Sequence, residues 1–79
     1  MAQLRRALRS DPARALALAN AGQQEFRRGQ LVEEREAIAV LALARLGRRA
    51  ELDRRGARFL RRYPRSAFAE RIERQLRQP

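Results

Sequence analysis

A chain of 79 residues sustains one domain, here 1–79, with a thin core, because a domain of this size buries only about 60 to 65 per cent of the surface its unfolded chain exposes. The sequence has no Cys, His, Lys or Thr, and Ser10 and Ser66 are its aliphatic hydroxyls, so thiolate, imidazole and amine chemistry are excluded and the chain reads as a non-enzyme without cofactor or metal. Its net charge of +10 rests on 19 basic residues that are all Arg, a skew that GC-rich coding produces in an Ala-rich chain without selection for an anionic partner.

The apolar residues are mostly Ala and Leu, with three Phe, one Tyr and no Trp, and only four Gly and three Pro punctuate the chain. That palette favours helices and lacks the turn residues that many short strands need, so the expected class is all-α. Ala2 to Arg9 reads as a short N-terminal helix with Leu4 and Leu8 on one face. Ser10-Asp11-Pro12 is a restart, with Ser or Asp to cap and Pro at the first helical position, where its missing N–H is no loss. A helix over about 12–28 follows, with Ala15, Leu16, Ala19, Gly22 and Phe26 inward; Gly29 fits the position after its end, behind Arg27 and Arg28. The next helix, about 31–46, opens with Glu33, Glu34 and Glu36 and closes with Arg45, as the helix dipole favours. Its uncharged middle has Ile38 and Leu41 on one face and Val40 and Leu43 on another, which makes it the most buried helix.

Gly47 is the stop before a helix over about 49–62, with Leu52, Gly56, Phe59, Leu60 and Tyr63 on one side and almost continuous Arg on the other. Pro64 ends it, and Ser66 offers an N-cap to a last helix, about 67–77, striped by Phe68, Ile72 and Leu76, with Glu70–Arg74 and Glu73–Arg77 as four-apart pairs. Short links between these four main helices make antiparallel hairpins. Leu52, Phe59, Leu60, Tyr63, Phe68 and Ile72 are the expected C-terminal core. No stretch approaches the apolar length of a membrane span, and the start has no apolar segment of the signal-peptide kind.

A shift of 37 residues aligns Ala15 with Leu52, Ala19 with Gly56, Gly22 with Phe59 and Phe26 with Tyr63. The segment Gly47 to Leu76 resembles a tetratricopeptide repeat of the kind found in bacterial envelope proteins such as the outer-membrane assembly lipoprotein and the Tol-Pal coordinator. The resemblance rests on Gly47 at the turn, Phe59 and Leu60 late in the helix, Tyr63-Pro64 at its end and Ser66 at the next start. The chain departs from the usual pattern in lacking its Trp, Leu-Gly pair and Tyr, and in exchanging large and small residues at Leu52 and Gly56. The other reading of the same residues is a plain helical hairpin that shares the Pro-Ser junction.

The resemblance implies a tetratricopeptide-like scaffold that binds another protein on stacked helices. With fewer than the roughly three repeats such folds need, it also implies an exposed apolar helix face, covered by a homo-oligomer or by the rest of a longer, envelope-associated parent. Arg54, Arg58, Arg61 and Arg65, at helical spacing, are the candidate anion-binding face for nucleic acid or lipid; the competing reading is a solvated face partly neutralised by Glu51, Asp53, Glu70 and Glu73. Glu33, Glu34 and Glu36 form the one carboxylate cluster, whose readings are an acid/base pair or hard-metal site and, favoured over these, complementarity to the helix dipole; Arg35 among them reads as a surface ion-pair partner.

Overall fold

The computed structural model describes residues 2–25 and 30–78, with side chains over 5–21 and 32–78. Five helices follow one another: α1 (Ala2–Ser10), α2 (Pro12–Glu25), α3 (Gln30–Arg45), α4 (Arg49–Arg62) and α5 (Ala69–Arg77). No strand occurs among the described residues, and no helix there is long and apolar enough to cross a membrane. The expected ends at Arg28 and Gly29, and the inward position Phe26, fall outside the described residues; nothing is described of the side chain of Leu4 or the surroundings of Gly22.

Asp11 alone separates α1 from α2. Its carboxylate accepts the Arg14 N–H at 3.1 Å and its carbonyl accepts the Ala15 N–H, so Asp11 is the cap of α2, with Pro12 at the first helical position. Ser10 turns the other way and donates its hydroxyl to the Arg6 carbonyl of α1.

The end of α3 has the double hydrogen bond of a Schellman turn: Gly47 N–H to the Ala44 carbonyl at 3.2 Å and Arg48 N–H to Leu43 at 3.1 Å. Gly47 supplies the left-handed conformation this requires, at φ +71°. The start of α5 differs from expectation. Ser66 accepts the Phe68 N–H at 3.1 Å rather than one inside a helix, and the Ser66 and Ala69 N–H groups make three-residue turns back to Tyr63 and Ser66. Residues 67 and 68 are thereby held in the turn, and α5 begins at Ala69 instead of about 67.

All seven residues from Ala37 to Leu43 are buried, because α3 packs against α1, α2, α4 and α5 together. Around it the buried residues form one cluster that includes Ala7 and Leu8, Ala15, Leu16 and Ala19, Leu52 and Phe59, and Ile72. Many of these are alanines, so neighbouring backbones approach closely. Gly56 shows the limit of that approach: a Cβ there would lie 3.0 Å from a Leu76 methyl, and the exchange of large and small residues at Leu52 and Gly56 is answered by Leu76 filling the space from α5.

Of the six residues expected in the C-terminal core, Leu52, Phe59 and Ile72 are buried, whereas Leu60, Tyr63 and Phe68 are half-buried and pack against its edge. The physical reason is that among the described residues α4 packs on α3 and α5 alone, and that Phe68 stands in the turn before α5. The outer side of α5 is charged, with Glu70, Arg71, Glu73, Arg74 and Arg77 exposed, and on α1 Arg5, Arg6 and Arg9 are exposed. These two helices thus present charge at their described exposed positions, while the exposed side of α2 carries Ala13, Ala17 and Ala21.

Two substitutions test this architecture by urea denaturation followed by circular dichroism. Phe59→Ala is expected to lower stability by about 3–5 kcal/mol, a large share of what a domain this small possesses. Gly47→Ala is expected to cost about 1 kcal/mol through the positive φ alone. An unchanged midpoint in either variant contradicts the corresponding packing or turn.

Candidate functional site

Helix α4 places its basic residues on several faces, and the structure divides them by what they touch. Arg49, at its first position, donates from Nη1 to the Gln75 carbonyl at 3.1 Å and to that of Gln78, and from Nη2 to the Leu76 carbonyl. These are the carbonyls that the C-terminus of α5 leaves without helical partners, so one guanidinium caps that helix and meets the negative end of its dipole. Asp53 holds the same guanidinium from 3.1 Å, and Arg48 and Glu51 pair more loosely at 3.7 Å.

Arg55 faces inward. Its Nη2 donates to Glu36 of α3 at 3.1 Å and to Asn20 of α2 at 3.2 Å, tying three helices together, while its buried Nε has no hydrogen-bond partner. At the other end of the molecule Arg5 of α1 donates to Glu34 of α3. The carboxylate cluster at the start of α3 is therefore split between two neighbours, with Glu34 on α1 and Glu36 on α4. Helix polarity explained why acids stand there; it could not show that they bridge helices.

Arg54, Arg58, Arg61 and Arg65 are all exposed, and none forms an ion pair or hydrogen bond with another described residue. Glu51 and Asp53 serve Arg48 and Arg49 instead, and the pairs Glu70–Arg74 and Glu73–Arg77 do not form within salt-bridge distance. Arg65 lies beyond the end of α4, in the turn after Pro64, so the stripe bends there.

Two recesses flank α3, and Arg58 lines one of them. Between α3 and α4 lies an open groove of about 350 Å³, with Val32 and Glu36 on one wall and Arg55, Arg58, Arg62 and Tyr63 on the other, above buried Phe59. The Phe59 and Tyr63 rings pack at 5.1 Å between centroids, and the Arg62 guanidinium stands 5.5 Å from the centre of the Tyr63 ring. Between α3 and α5 a smaller pocket of about 160 Å³ is lined by Leu41, Ala44, Arg45, Arg71, Arg74 and Gln75. Sequence periodicity put Phe59 and Tyr63 on one face and Arg48, Arg55 and Arg62 seven apart, but it did not place Arg55 and Arg62 beside the aromatic pair in one groove, because that depends on where α3 lies. No protein-family model, curated protein or solved structure matches the chain.

The Arg55–Glu36 pair is well shielded, with 20% and 28% of the two side chains exposed. A double-mutant cycle with Arg55→Met and Glu36→Gln is expected to give a coupling energy of about 0.5–1.5 kcal/mol. The same cycle on Arg48 and Glu51 is expected to fall near zero. Equal coupling in the two cycles contradicts the division between structural and solvated arginines.

Proposed function

We propose that the chain is a tetratricopeptide-like protein–protein interaction module that takes up an acidic segment of a partner protein in the groove between α3 and α4. The observation behind this reading is the pairing in one groove of an aromatic floor with Arg58 and Arg62, neither of which meets a carboxylate among the described residues. Glu36, the one acid among the described residues of the groove wall, is already engaged by Arg55. An acidic side chain entering the groove gains charge-assisted hydrogen bonds, and an adjacent apolar side chain gains contact with Tyr63 and Phe59.

The repeat character is supported by helix order. A 37-residue shift takes the bounds of α2 onto those of α4. The odd-numbered helices pack in succession, α1 on α3 and α3 on α5, whereas α2 and α4 meet through the Arg55–Asn20 hydrogen bond. Stacked helical hairpins have this kind of layering, in which each unit touches its neighbours, and it supports the repeat reading.

A second reading is supported by Arg54, Arg58, Arg61 and Arg65, whose exposure and lack of acidic partners suit the phosphates of nucleic acid or an anionic membrane. The two readings differ in chemistry, since a phosphate surface needs no aromatic floor.

Selection of displayed peptides on the purified chain is expected to enrich sequences in which acidic residues flank an aromatic or aliphatic one. Tyr63→Ala and Arg62→Gln, with helicity retained, are each expected to weaken an enriched peptide by about tenfold or more. Peptides indifferent to both substitutions would remove the groove reading. Binding of single-stranded DNA or anionic vesicles that falls steeply with salt, and falls further in Arg54→Gln/Arg61→Gln, would favour the second reading instead.

A further inference from the structure

The pocket between α3 and α5 is separate from the α3–α4 groove and has a different composition. Three guanidinium-bearing residues, Arg45 from α3 and Arg71 and Arg74 from α5, line a recess of about 160 Å³ over Leu41 and Ala44. Among the described residues no carboxylate lines it. None of the three arginines forms an ion pair or hydrogen bond with another described residue, even though Glu70 precedes Arg74 by one helical turn and Glu73 stands next to it. At three other places a carboxylate meets the guanidinium, Glu36 at Arg55, Asp53 at Arg49 and Glu34 at Arg5, while the exposed Arg54, Arg58, Arg61 and Arg65 stay unpaired among the described residues.

Like charges gathered on one small recess repel, and the repulsion is relieved when an anion of matching charge enters. The geometry points to a phosphate-binding site at Arg45, Arg71 and Arg74, for a dianionic phosphate group such as a free phosphate or a phosphomonoester. The size fits: a cavity of about 150 Å³ holds a benzene-sized guest, and a phosphate group is smaller. The charge fits as well. A single carboxylate neutralises only one of three guanidinia, whereas the several oxygens of a phosphate accept paired N–H donors from more than one planar fork. Gln75, also on the wall, has a side-chain amide that can donate to an oxygen the arginines leave. The walls come from α3 and α5, which pack directly on each other, so both donor-bearing segments are fixed by the core beneath them.

The test is calorimetric titration of the intact chain with inorganic phosphate, in chloride at constant ionic strength. Saturable one-to-one binding is expected, weakened about tenfold or more by Arg71→Gln or Arg74→Gln, the worth of one charge-assisted contact. Arg54→Gln and Arg61→Gln, which remove equal charge on α4, are expected to leave it within about twofold. Tyr63→Ala is expected to have no effect, which separates this site from the peptide groove. Acetate is expected to bind far more weakly than phosphate. Vesicles of phosphatidylcholine with and without phosphatidic acid identify the source: headgroup-dependent binding lost in Arg71→Gln assigns a lipid phosphate, and binding of free phosphate alone assigns a soluble one. Non-saturable uptake, or equal weakening by the α4 and α5 substitutions, would overturn the proposal, because either result reduces the effect to general screening of a +10 chain.

Discussion

The burial of α3 on every side is the constraint from which the other features follow. Its segment from Ala37 to Leu43 has no outward face, so a helix pair is insufficient and four neighbours must surround it. Ala37, Ala39 and Ala42 let those neighbours come close, and Ile38, Val40, Leu41 and Leu43 fill the intervals. Charges are excluded from this middle and gather at the ends of α3. There Glu34 and Glu36 reach back to α1 and α4, so the same helix that organises the apolar core also organises the cross-helix ion pairs. Bridges of this type fix the relative placement of helices more than they add stability, since each partner also loses water.

Much of the helix pattern was legible because it is local. Asp11-Pro12, Gly47 and Tyr63-Pro64 mark boundaries through backbone chemistry confined to a few residues, and the structure places helix ends at all three. The two-residue error at the start of α5 has the same local origin. Ser66 can satisfy an N–H inside a turn as readily as one inside a helix, and composition does not distinguish the two. Burial was less legible. Periodicity assigned Leu60, Tyr63 and Phe68 to a face without showing how far a neighbour extends over it, and α4 is covered along only part of its circumference.

The charged contacts were the least legible. Four-apart spacing suggested Glu70–Arg74 and Glu73–Arg77, yet such pairs contribute only about 0.3–0.5 kcal/mol, too little to fix long side chains against solvent. At helical spacing Arg48 meets Glu51 and Arg49 meets Asp53, whereas the other charged contacts join distant residues, Arg5 with Glu34, Arg55 with Glu36 and Asn20, and Arg49 with the end of α5. None of the distant contacts follows from sequence separation, because each depends on the azimuth at which two helices meet. The candidate sites share this limitation: Phe59 and Tyr63 could be named beforehand, while the groove and the α3–α5 pocket appear only once the helices are placed.

The absence of Lys acquires a positional meaning in this light. GC-rich coding accounts for an arginine bias across a whole chain, but not for what individual positions require. Arg49 reaches three carbonyls from two nitrogens, a use that depends on a planar fork held in fixed orientation, whereas Arg55 makes its contacts with an amide and a carboxylate from one nitrogen. A lysine offers a single ammonium and would satisfy only part of the Arg49 arrangement. Arg54 and Arg61 project into solvent with no such demand, and there the bias alone suffices. Arg58 and Arg62 beside an aromatic floor, and Arg45, Arg71 and Arg74 around a pocket that no described acid lines, fall between these limits: their helices pack on the core, while their exposed guanidinia lack an acceptor among the described residues. Such donors are where an external anion gains most, because its charge-assisted hydrogen bonds displace no internal ion pair.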